Sequence, residues 1–184
     1  MCEPTRVRQI VLLRGINLGP RNRIAMPALR ELLTGAGFDD VRTYVQSGNI
    51  VLSTRRRPEA VETACEQLIA AELGLTIAVV ARTRDELAEV VRRNPLGDVA
   101  TNPKRYQVSF LDAEPDPEAL EKLAALAVDG ERIEAIGREV YAWHPDGIAR
   151  SKLWAGLAGK GLGVKKATAR NWTTVMTLLE MAQE

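Results

Sequence analysis

Two stretches of this sequence gather side chains suited to holding an anion. Arg14, Asn17, Arg21, Asn22 and Arg23 fall in a run punctuated by Gly15, Gly19 and Pro20, and Gln46, Ser47 and Asn49 surround Gly48. Guanidinium groups grip phosphate or carboxylate through charge-assisted, often bidentate hydrogen bonds, while amides and hydroxyls fix orientation. A second stretch holds Ser151 and Lys152, then Arg170, Asn171 and Trp172. Trp172 offers a face for stacking and one N–H donor, and Arg170 can pair with an anion bidentately. Each group has a plain structural alternative. The first could be a loop tied by its asparagines, with solvated arginines. The second could be a tryptophan wedged between helices, beside Asn171 or Thr173 as a helix N-cap.

Other chemistry fails on spacing. Gly156-Leu-Ala-Gly-Lys-Gly161 lacks the gap and the Ser/Thr of a phosphate-binding P-loop, and Gly15 and Gly19 do not make G-x-G-x-x-G. His144 is the sole histidine, so histidine-based metal clusters are excluded and no metal site is expected. Standing before Pro145 with no evident nucleophile beside it, His144 reads as a surface or turn histidine rather than a catalytic base. Cys2 reads as a loose terminal thiol and Cys65 as a core thiol on a helix stripe, because a secreted disulfide scaffold needs more cysteines. No cofactor is implied.

The elements that must position these residues follow from periodicity and breakers. Residues 8–14 form an apolar run that predicts a buried strand. Pro27 opens a helix carrying Leu29, Leu32 and Leu33, which stops at Gly35-Ala-Gly37. Residues 41–46 and 49–53 predict two strands joined at Ser47-Gly48. Pro58 opens a second helix that turns Val61, Cys65, Leu68, Ile69 and Leu73 inward, and residues 76–81 give a further strand. The order β-α-β-β-α-β is ferredoxin-like. In such a sheet the first and second strands run parallel with the third antiparallel between them, so the loop at 14–23 lies beside the turn at 46–49. The helix opened by Pro27 adds free N–H groups and a positive dipole end nearby.

A helix over 84–93 ends at Asn94-Pro95, and the stretch to Asn102-Pro103 reads as a linker. A second series follows: a strand at 105–111, a helix at 117–127, strands at 132–136 and 139–143 around Gly137-Arg138, and a helix at 148–157. The fold class predicted is therefore α+β, a ferredoxin-like βαββαβ half packed on a second, diverged βαββα half with a C-terminal helix at 173–182. The two subdomains are expected at 1–93 and 94–184. Strands one and three of the first half carry no aromatic side chain, which argues against ordinary single-stranded RNA readout.

The 184 residues, with 25 Lys and Arg against 24 Asp and Glu, give a formal charge of +1, so whole-chain charge favours no acidic partner. The balance hides a pattern. From residue 147 to 179 there are Arg150, Lys152, Lys160, Lys165, Lys166 and Arg170 and no acid, whereas from 112 to 146 acids outnumber bases ten to three. No apolar run reaches membrane-spanning length and no signal-peptide core opens the chain, so a cytoplasmic location and no membrane partner are expected.

Leu12-Leu-Arg-Gly-Ile-Asn-Leu-Gly19, Met26 and Leu29, and Thr43-Tyr-Val-Gln-Ser-Gly-Asn49 resemble the opening of domain-of-unknown-function family 1697. Arg150-Ser-Lys152 and Ala167-Thr-Ala-Arg-Asn-Trp-Thr-Thr174 are similar to its C-terminal signature. The resemblance implies two packed α+β subdomains in an uncharacterised bacterial protein, and supplies no substrate or catalytic residue. Where that family has a second glycine after Gly19, this chain has Pro20. The expected function is binding of a phosphate-bearing ligand, either a nucleotide or a nucleic acid. The ligand-binding residues expected are Arg14, Asn17, Asn22, Arg23, Gln46, Ser47, Asn49, Ser151, Lys152, Arg170, Asn171 and Trp172. The alternatives are an enzyme acting on a small phosphorylated or carboxylated metabolite, or an interaction module or homodimer.

Overall fold

A computed structural model describes residues 5–158 and 161–184. Cys2 and the Gly159-Lys160 pair of the failed P-loop lie outside the described residues. The chain is a mixed α+β protein that divides into two compact units, Met1–Glu89 with Thr177–Glu184, and Val90–Met176.

In unit 1 the order is β1 (Val7–Leu13), α1 (Met26–Gly35), β2 (Asp39–Tyr44), β3 (Asn49–Thr54), α2 (Pro58–Leu73) and β4 (Val79–Thr83). The four strands form one antiparallel sheet in the order β2-β3-β1-β4. Leu12 stands opposite Asn49 and Tyr44 opposite Asn49, which fixes the shared edge expected for the loop and the turn. One sheet face (Val11, Leu13, Ile50, Leu52, Val79, Ala81) packs with Leu29, Leu33, Val61, Cys65 and Ile69 of the two helices. Ile10, Leu12, Val51 and Val80, on the other face, are buried as well. Burial on both faces explains why these strands read as continuous apolar runs rather than alternating ones. Leu73 departs from expectation: it stands 38% exposed at the end of α2.

Helix ends follow local chemistry. Pro27 and Pro58 occupy first turns, where a missing N–H costs nothing. A reciprocal capping box closes the start of α3 (Arg84–Arg93). The Thr83 N–H donates to Glu86 at 2.8 Å and the Glu86 N–H to the Thr83 hydroxyl at 3.1 Å. On α2, the Glu62 and Glu66 carboxylates accept from the N–H groups of Ala81 and Val79, which satisfies the edge of β4 that β1 does not pair. That strand begins three residues later than expected. β1 ends at Leu13, so residues 76–78 have no ladder partner beyond the bond from the Arg14 N–H to the Ala78 carbonyl. β2 likewise runs 39–44 rather than 41–46. It starts earlier through a register shift between Asp39 and Arg42, and it stops at a turn that spans residues 45–48.

Unit 2 runs from the end of α3 through β5 (Tyr106–Leu111), α4 (Pro117–Ala124), β6 (Arg132–Ile136), β7 (Glu139–Trp143), α5 (Lys152–Ala158), β8 (Ala167–Asn171) and the start of α6 (Trp172–Gln183). Its sheet order is β6-β7-β5-β8, again fully antiparallel. The main correction to the sequence reading is β8. Residues 167–171 form a strand paired with β5 from Leu111↔Ala167 to Gln107↔Asn171, so the second half is a complete β-α-β-β-α-β series rather than a truncated one. α4 ends at Ala124, not 127, and α5 begins at Lys152, not 148, because Ser151 caps it by accepting from the Trp154 N–H at 3.0 Å. Val175, Leu178, Leu179 and Ala182 of α6 are buried, as the pattern predicts. Within unit 1, Arg42 of β2 holds the chain's last residues, donating at 2.5 Å to the Met181 carbonyl and to Glu184.

Candidate functional site

The edge of unit 1 is built by a loop at 14–25 whose path needs left-handed residues. Gly15, Asn17 and Asn22 have φ of 65°, 56° and 54°, a region in which Asn is tolerated far better than branched residues. Asn17 is the staple of this loop. Its Nδ2 donates to the Ile24 carbonyl at 2.9 Å and to the Gln46 carbonyl at 2.7 Å, and its Oδ1 accepts from the Ile24 N–H at 3.0 Å. One side chain thus closes the loop and fastens it to the turn at 45–48.

The turn is tied just as tightly. Buried Asn49 donates through Nδ2 to the Tyr44 carbonyl at 3.2 Å and to the Ser47 hydroxyl at 2.9 Å. Gly48, at φ 74°, lies so close to β1 that a Cβ would sit 2.6 Å from that of Leu13. Only glycine allows that approach.

Against this frame, the remaining groups divide by exposure. Asn17, Asn22 and Asn49 direct their amides at the backbone, Asn22 reaching the Gly15 carbonyl at 3.5 Å. Arg21, Arg23 and Gln46 are exposed, with Arg23 Nε donating to the Gly19 carbonyl at 3.2 Å, while Arg14 and Ser47 are half-buried. The loop carries three arginines and no acid. A second basic hollow in unit 1, about 190 Å³, is lined by Arg6, Arg8 and Arg84. Each of these meets a carboxylate, Arg6 on Asp39, Arg8 on Asp40 and Arg84 on Asp85, so its local field is largely cancelled.

In unit 2 the sequence-chosen residues sit on β8, on α6 and at the start of α5. Arg170 is buried, and its Nη1 donates to the Thr168 hydroxyl at 2.8 Å and the Ala169 carbonyl at 2.7 Å. Burial pulls its pKa down to about 10. Asn171 caps α6, its Oδ1 accepting from the Thr174 N–H at 2.9 Å. The Trp172 ring stacks on Tyr106 at 4.9 Å and its backbone N–H donates to the Pro103 carbonyl. Tyr106 donates to the Asn94 side chain at 3.0 Å, and burial pushes its phenol up to about 12. Ser151 is the cap of α5, and Lys152 is exposed. Tyr106 and Phe110 on β5 and Tyr141 and Trp143 on β7 occupy the strands where RNA-binding sheets display stacking side chains, yet all four are buried and closed to a base.

One cluster escaped the sequence reading. His144 is not a surface histidine; it is fully buried. Its Nδ1 lies 2.8 Å from Glu131 Oε1 and 3.1 Å from the Ser151 hydroxyl, with Trp154 edge-on at 5.9 Å. Burial pushes the Glu131 carboxyl up, but hydrogen bonds from Ser151, His144 and the Val128 N–H outweigh it and the net direction is down. Acid, imidazole and hydroxyl invite comparison with a catalytic triad. A proton relay needs acid and hydroxyl on opposite ring nitrogens, and here both meet the same one. The arrangement therefore fastens the start of α5 to the end of β7. No sequence signal marks it, because its members lie 13 residues before and 7 residues after the histidine.

Among the described residues no group of three or more His, Cys, Asp or Glu could hold a metal ion, and no helix is long and apolar enough to cross a membrane. No curated protein matches the chain. The solved structure of a conserved bacterial protein from Streptococcus pneumoniae shares the fold, with a TM-score of 0.78 over 97% of this chain and 99% of that one, at 18% identity. The family described as "Protein of unknown function (DUF1697)" matches residues 7–141, and the chain belongs to that family. The match stops short of Arg150-Ser-Lys152 and of residues 167–174.

Proposed function

We propose that this DUF1697 protein binds a phosphate-bearing ligand, a nucleotide or a nucleic-acid strand, at the loop and turn edge of unit 1. The observation that carries the reading is a loop held rigid by Asn17 that bears Arg14, Arg21 and Arg23 and no acid, beside the exposed Gln46. A braced backbone lowers the cost of ordering the loop on binding, and a loop positioned by a scaffold is where recognition residues concentrate. The arginines pair with phosphate, Gln46 and Ser47 orient it, and Asn17, Asn22 and Asn49 hold the frame. The element and strand orders support reading each unit as a ferredoxin-like fold, an architecture that hosts many functions and so leaves this assignment to the site.

The test is thermal shift against nucleotides and short oligonucleotides, for the wild type, an Arg21→Ala/Arg23→Ala double variant, and Lys152→Ala. A ligand at a hundredfold excess over its Kd adds about 2.7 kcal/mol of apparent stability. The shift is expected in the wild type and in Lys152→Ala, and is expected to disappear in the double variant. A shift that survives the double variant, or a flat profile across the library, overturns the reading. A shift abolished only by Lys152→Ala assigns binding to unit 2 instead.

A further inference from the structure

Unit 1 presents two surface features that are complementary to each other. On the outer side of its helices, α1 and α2 leave a groove of about 520 Å³ whose floor includes Ala28, Leu32, Ala36 and Leu68. Among the described residues, the charged ones that line it are Glu31 and Glu72. An apolar floor between two carboxylates calls for an apolar side chain carried on a basic segment. The loop at 14–25 offers that. Leu18 is 84% exposed, the most exposed large hydrophobic side chain among the described residues, and exposed Arg21 and Arg23 follow it on a loop free of acids. A leucine held in water on a loop braced by three hydrogen bonds has no stabilising role in its own unit.

Pairing the groove with the same groove of a second copy is disfavoured, because Glu31 and Glu72 would meet their own counterparts. The match is instead between different surfaces of identical chains, a heterologous contact that repeats head to tail. We propose that copies of this protein associate in this way, Leu18 of one chain entering the α1–α2 groove of the next while Arg21 and Arg23 meet Glu31 and Glu72. A single loop in a groove falls below the area of a stable standard interface, so the association is weak, concentration-dependent and sensitive to salt. It needs no phosphate ligand and does not rest on the reading above.

Sedimentation velocity over a concentration series tests it, using the wild type, Leu18→Asp, and a Glu31→Lys/Glu72→Lys double variant. All three positions are exposed, and an unchanged melting temperature verifies folding. The wild type is expected to grow in average mass with concentration and to shrink as salt is raised, while each variant alone stays monomeric. Mixing the two variants is the decisive arm. Leu18→Asp keeps an intact groove and the double variant an intact loop, so the mixture restores one contact and yields a 1:1 pair with nothing larger. A wild type that is monomeric throughout, variants that associate as the wild type does, or a mixture that stays monomeric each overturn the proposal.

Discussion

Replacing Asn17 with alanine separates a structural staple from a ligand contact. The amide makes two bonds to Ile24 in a half-buried setting and one to the Gln46 carbonyl in an exposed one, at 2.9, 3.0 and 2.7 Å. At about 1 kcal/mol for each of the first two and about 0.5 for the third, the lost hydrogen bonds amount to roughly 2.5 kcal/mol. Alanine at φ 56° adds about 1 kcal/mol of backbone strain, so the total approaches 3–4 kcal/mol. Asn17→Gly removes the bonds but accepts the backbone, and is expected to recover about 1 kcal/mol of that loss. The assay must see unit 1. All three tryptophans, Trp143, Trp154 and Trp172, lie in unit 2, so indole fluorescence is blind here and denaturant unfolding is followed by far-UV circular dichroism. A surface loop can also open without the unit unfolding, which caps the global effect at the cost of that opening. Hydrogen exchange at the Ile24 amide therefore supplies the second readout, with protection expected to fall in both variants. Unchanged stability together with unchanged exchange at Ile24 would refute the assignment of Asn17 as the staple.

Two further outcomes follow from buried groups. The Glu131 carboxyl lies below its ordinary value near 4.5 when folded, so its stabilisation is fully present above about pH 4.5 and is lost as pH falls through the lower folded value. Acid titration followed by tryptophan fluorescence should show that loss in the wild type and a flatter slope in Glu131→Gln; superimposable slopes would contradict it. Burial pushes the Cys65 thiol up to about 12, leaving it protonated and enclosed at pH 8. Iodoacetamide should leave the Cys65 peptide unmodified by mass spectrometry until denaturant is added, and labelling at the rate of a free thiol in the native protein would show the site to be open.

What the sequence disclosed depended on whether a signal was local. Asn94-Pro95 marks the end of α3 at residue 93, and Gly137-Arg138 marks the turn between β6 and β7, where Gly137 takes a φ of 58°. β8 is hard to read from sequence because Ala167-Thr-Ala-Arg-Asn171 has no apolar run, and its alternation sets only two small alanines against polar neighbours. It is a strand only because β5 offers it a ladder, a partner some sixty residues earlier in the chain. The Glu131, His144 and Ser151 cluster was invisible for the same reason. The site residues raise a subtler difficulty. Arg, Asn and Ser are the residue types that hold anions, and they are equally the types that cap helices and tie loops, so composition alone overcounts candidates. What separates the two roles is whether polar atoms remain available once the backbone has been satisfied, and that depends on coordinates. Both amide donors of Asn17 go to carbonyls, Asn171 accepts from Thr174 and Ser151 from Trp154. Arg21, Arg23 and Gln46 are exposed on a frame that Asn17 and Asn49 tie together, so the unit 1 amides that look like ligand contacts in the sequence serve best by keeping the arginines in place.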